Sequence, residues 1–60
     1  MTLEHIRAFR RAAMDRGDHY GDSLCNQALH PDVSESALQN LITAIVTYED
    51  LRERVLRGEA

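Results

Sequence analysis

Apolar side chains recur every seven residues through the C-terminal half of this chain. Leu38, Ile45 and Arg52 form one row, and Leu41, Tyr48 and Val55 form a second. Two such rows are the a and d positions of a helix that packs lengthwise against another helix. The pattern predicts an all-α fold in which one long helix dominates. Arg52 interrupts the first row, with Glu49 beside it. A charge there needs a partner, because a lone charge removed from water costs several kcal/mol.

Size makes the demand for burial acute. The chain has 60 residues, and folding at that length buries only about 60% of the unfolded surface. Ordering each residue costs about 1.5 kcal/mol, which leaves a small fold near break-even. Staples are scarce. Cys25 is the single cysteine, so no internal disulfide is available, and no zinc-finger spacing occurs. The aromatic residues are Phe9, Tyr20 and Tyr48, which predicts a thin aliphatic core. Self-association, or docking on a larger partner, is the expected source of further burial. An unpaired thiol fits a reducing compartment. No apolar run reaches the length of a membrane span, and no signal-peptide core is visible. A soluble cytoplasmic protein without membrane contact is expected.

Start and stop signals divide the chain. Thr2 can cap a first helix, with Glu4 in its first turn favoured by the helix dipole. Leu3, Ile6, Phe9, Ala13 and Met14 share one face at helical spacing, and Arg10 projects into it. Gly17 is placed to end that helix. Gly17 to Asp22 reads as a turn, with Asp22 or Ser23 capping a short second helix through Leu24, Cys25, Ala28 and Leu29. His30-Pro31 stops it, since the residue before proline is pushed out of helical geometry. Asp32 followed by Glu35 resembles a capping box, and Gly58 terminates the third helix. The expected helices therefore cover about 3–16, 22–29 and 33–57 of a single small domain, residues 1–60. The architecture they favour is a helical hairpin with a kinked first arm over residues 3–29, oligomeric in use. A full chain reversal at Gly17 would give a three-helix bundle instead.

Charge is unevenly spread over a net of −3. Residues 1–17 carry Arg7, Arg10, Arg11 and Arg16 against Glu4 and Asp15. From 18 to 51 every charge is an acid: Asp18, Asp22, Asp32, Glu35, Glu49 and Asp50. Beyond lie Arg52, Arg54 and Arg57 against Glu53 and Glu59. All basic residues are arginine, whose guanidinium suits bidentate contact with phosphate or carboxylate. Arg7, Arg10, Arg11 and Arg52 are the candidate anion-binding set, although a solvated face explains the same residues. The acidic global field and the lack of a basic recognition helix disfavour nucleic acid.

Residues capable of chemistry do not assemble into a reaction. Asp18-His19-Tyr20-Gly21-Asp22 offers a base, carboxylates and a phenol, but no nucleophile, base and orienting group at fixed spacing. A capped turn accounts for it. His19, Cys25 and His30 lack metal-ligand spacing, and a structural zinc needs four ligands. No catalytic residue, metal or cofactor is expected, and the chain is read as a non-enzyme.

The expected interface is the strip of Leu38, Leu41, Ile42, Ile45, Tyr48, Glu49, Arg52 and Val55. Its apolar residues, together with Leu56, are too broad a strip for one thin arm to cover. Arg10, Glu49 and Arg52 would pair within the chain or across a dimer seam, where polar groups fix register. The profile is similar to that of phage-encoded inhibitors of host machinery and of antitoxin-like regulators. The likeness is one of size and style, and no residue is carried over from it. The expected function is binding and modulating another macromolecule, a host or cellular protein, by a homodimer or higher oligomer. An oligomeric sponge for a small anionic ligand such as a nucleotide is the alternative, and an antitoxin-like or DNA-binding regulator is a third.

Overall fold

A computed structural model describes residues 1–58. Glu59, counted above among the C-terminal acids, lies outside the described residues, as does Ala60. The described residues form three helices and no strand: α1 (Leu3–Asp15), α2 (His19–Ala28) and α3 (Glu35–Leu56). The all-helical class follows from the sequence pattern as expected.

Each boundary has a local cause. The Thr2 hydroxyl accepts from the His5 N–H at 3.2 Å and caps α1. At the far end, the Gly17 N–H bonds to Met14 O at 3.2 Å and the Asp18 N–H to Ala13 O at 2.8 Å. That pair of bonds is a Schellman turn, and it needs the left-handed backbone of Gly17, at φ 71°.

α2 begins three residues earlier than its expected start at 22. Asp18, not Asp22 or Ser23, is the cap, with its Oδ1 accepting from the Gly21 N–H at 3.0 Å. The supposed loop through Tyr20 and Gly21 is therefore the first turn of a helix. The α3 cap also differs. Asp32 is held in a turn, where its N–H donates to His30 Nδ1 at 3.1 Å and the Val33 N–H closes onto His30 O at 3.1 Å. Ser34, in extended backbone, takes the capping role by accepting from the Ala37 N–H at 3.1 Å. Gly58, at φ 78°, ends α3 as expected.

Packing follows from these turns. α1 folds back onto α2, so that Phe9 reaches Gly21 and Arg10 meets Asp22. α2 and α3 then run antiparallel, with Tyr20 at the start of α2 against Tyr48 late in α3, ring centroids 4.9 Å apart. Ile6, Phe9, Leu24, Cys25, Ala28 and Ile45 make the core, and Leu29, Leu38, Leu41, Ile42, Ala44 and Tyr48 pack around it. Beyond Tyr48 the coverage by α2 runs out. Leu51, Val55 and Leu56 are 54%, 56% and 73% exposed. Among the described residues, no helix is long and apolar enough to cross a membrane.

Candidate functional site: the C-terminal end of α3 and its Asp18 anchor

Asp18 joins the three helices at one point. Its Oδ2 accepts from the Tyr48 hydroxyl of α3 at 2.7 Å and from Arg16 Nη2, just past α1, at 2.9 Å. Its Oδ1 caps α2. Burial works to raise the Asp18 pKa, but hydrogen bonds from the Gly21 N–H, Tyr48 and Arg16 outweigh it. The carboxyl is held down at about 2. The same bond to Asp18, reinforced by burial, pushes the Tyr48 phenol above its ordinary value. Around this anchor the rings interlock. Phe9 meets Tyr48 edge-on at 6.2 Å, and the Arg16 guanidinium lies 5.4 Å from the centre of the Phe9 ring. The anchor thus fixes Tyr48 as a rigid base, from which the last two turns of α3 project.

The expected interface strip divides in two. Ile45 is 0% exposed and belongs wholly to the chain's own core. Leu38 and Ile42 lean on that core, half-buried. Glu49 is occupied by His5, whose Nε2 lies 3.2 Å from each carboxylate oxygen. Leu41 and Tyr48 are half-buried, and Val55 is open to solvent. Leu56, which the sequence places in the broad apolar strip, and Leu51, which it does not, are exposed beside Val55. Leu51 continues the row of Ala37 and Ala44, one position before that of Arg52, and the row reads as interface only once α2 is known to stop short.

The arginines also sort themselves. Arg10 sits 3.6 Å from Asp22, not near Glu49, and those two facing atoms have no hydrogen-bond partner. Arg16 pairs with Asp18, and Arg54 and Arg57 pair with Asp50 and Glu53 one turn back. Among the described residues, Arg7, Arg11 and Arg52 form no ion pair. Arg7, Arg10 and Arg11 line one open hollow on α1 with Ala8, Met14 and Asp15. Arg52 lines a different depression, between α1 and α3, with Arg16, Glu49, Glu53 and Leu56. The four candidate anion-binding residues therefore do not converge on one site within a chain.

The residues weighed for metal binding are apart in character. His19 and His30 are exposed, while Cys25 is buried. Burial, then the charges of Asp22 and Glu49, push the Cys25 thiol above its ordinary pKa, the opposite of an activated nucleophile. Among the described residues, no three His, Cys, Asp or Glu side chains are grouped to hold a metal ion.

Comparison with protein-family models, curated proteins and solved structures gives no match.

Proposed function

We propose that this chain is a non-enzymatic, oligomeric interaction protein which binds and modulates another macromolecule, with α2 between α1 and α3 in place of the expected kinked arm over 3–29. The observation that carries this reading is the apolar end of α3, where Leu51, Val55 and Leu56 stay exposed beside Arg52. Clustered apolar surface of this kind is the usual mark of a contact site. The anchored Tyr48 beneath it supplies a rigid aromatic base, and Arg52 is a cation available to a partner carboxylate. The reading includes self-association and a host or cellular protein as partner. Inhibition of cellular machinery in the manner of phage-encoded proteins belongs to the same proposal, as does action in the cytoplasm.

Affinity capture from native cells tests it, run in parallel with the wild type and a Leu51→Asp, Leu56→Asp double variant. A protein held by the wild type and lost by the variant supports the proposal. Identical capture profiles for the two would remove the α3 end from any role.

A second reading has an observation of its own. Arg7 and Arg11 stand one turn apart on α1, without acid partners among the described residues, around the hollow that Arg10 also lines. That grouping favours a small anion such as a nucleotide phosphate, held between subunits of an oligomer. Thermal-shift measurement with nucleotides separates the readings. A rise in melting temperature that Arg7→Ala and Arg11→Ala abolish supports the anion sponge, and no rise with any nucleotide counts against it.

A further inference from the structure

α3 carries a second heptad stripe that the chain's own helices leave partly open. Ala37, Ala44 and Leu51 recur every seven residues, and so do Leu41, Tyr48 and Val55. The second row is shared with the stripe that faces α2; in the first, Ala44 also touches the core and Leu51 lies outside it. Ala37, Leu41, Ala44 and Tyr48 are half-buried, while Leu51 and Val55 are exposed. The stripe carries no charge. At about 1.5 Å per residue it runs about 27 Å, nearly the whole helix.

From this we propose that the stripe seats a second copy of this chain, with the two α3 helices antiparallel. A twofold axis near Val46 sets Ala37 opposite Val55, Leu41 opposite Leu51 and Ala44 opposite Tyr48. Small residues then face large ones along most of the seam, which is what interdigitating side chains require. A parallel pair would put Tyr48 on Tyr48 and Ala44 on Ala44, crowding one layer and leaving the next empty.

Charge selects the same orientation. At one end of the stripe, Tyr48, Leu51, Arg52 and Val55 line an open notch. At the other, Asp32 lines a notch with Val33, Ala37 and Leu41. Neither Arg52 nor Asp32 forms an ion pair among the described residues. The antiparallel arrangement lays the arginine-bearing end of each copy over the aspartate-bearing end of the other. A parallel one sets like charges together at both ends. Arg52, at the edge of the seam and without an ion pair in its own chain, then biases the direction of the pairing.

The pairing deepens the self-association included in the contact reading above and rests on it. Its test combines sedimentation with disulfide trapping. The wild type is expected to sediment as a dimer that dissociates on dilution. Leu51→Asp and Arg52→Asp should each weaken that dimer at least about tenfold. Position 51 is exposed and 52 half-buried at the surface, so circular dichroism should find both variants helical. In the trap, Leu41→Cys and Leu51→Cys chains are mixed under mild oxidation, with Cys25 kept out by burial. The expected product links 41 to 51 and not 51 to 51. A monomer throughout, a dimer indifferent to Leu51→Asp, or a 51–51 product would each overturn the pairing. A monomer that still captures another macromolecule through the α3 end would overturn the pairing and leave the contact reading standing.

Discussion

α2 and α3 pack on each other, yet they use their residues differently. α2 has 10 residues and buries Gly21, Leu24, Cys25 and Ala28. α3 has 22 residues and buries Ile45 alone. The short helix is the centre of the fold, gripped by α1 on one side and α3 on the other. The long helix touches the core along one edge and carries Val46, Leu51, Val55 and Leu56 to solvent. Under the proposed contact role, these are the residues a partner would cover. The difference separates positions that hold the fold from positions available for contact.

Substitutions can break that division, and the largest effect belongs to the core. Ile45→Ala should cost about 3–4 kcal/mol, as expected when a fully buried branched side chain leaves a cavity. In a domain this small that loss should abolish a cooperative unfolding transition in urea. Leu51→Ala, on the same helix, should leave the unfolding of the dilute chain almost unchanged. Equal losses at the two positions would erase the contrast.

The Asp18 anchor comes next. Asp18→Ala removes the α2 cap and leaves the Tyr48 hydroxyl and Arg16 without their acceptor, for a loss of about 2 kcal/mol in urea unfolding. Gly21→Ala should cost about 1–2 kcal/mol from overpacking. Its Cβ would meet Asp18 Oδ2 at 2.9 Å and Phe9 Cε1 at 3.2 Å. Tyr48→Phe keeps the ring contacts and should cost about 1 kcal/mol through the lost hydrogen bond.

Acid sharpens the same point. The folded Asp18 pKa lies at about 2, below its ordinary 3.8. A depressed carboxylate contributes stability that is full above the unfolded pKa and fades as pH falls toward the folded one. The wild type should therefore lose stability between about pH 4 and pH 2, and Asp18→Asn should flatten that part of the profile. Urea midpoints measured at stepped pH would show the anchor irrelevant if the two profiles ran parallel. The smallest effect on the fold itself is predicted for Leu51→Asp. Its change in urea unfolding under dilute conditions should stay within about 0.5 kcal/mol.

Much of this organisation is legible in the sequence, for reasons particular residues make plain. Periodicity marks helices, and Thr2, Gly17 and Gly58 mark their ends through capping chemistry that acts over a few residues. Asp18 and Ser34 do not stand out as caps, because Asp22, Ser23 and Asp32 are equally good in composition. Only the Schellman turn at Gly17 and the His30–Asp32 turn decide which of them the backbone reaches. The anchor was not legible at all, since Asp18 and Tyr48 are thirty positions apart and ordinary in type. The heptads of α3 announce a packing helix without saying which flank is covered. That depends on where α2 stops, and the length of α2 depends on its cap.

The central claim is that the open flank of α3 is completed by a neighbour. Thermal unfolding across about a hundredfold range of protein concentration tests it directly, because association that favours the folded state makes the midpoint depend on concentration. The midpoint should climb with concentration for the wild type and stay level for Leu51→Asp. A wild-type midpoint that does not move over that range, in a chain that sediments as one particle, would contradict the account.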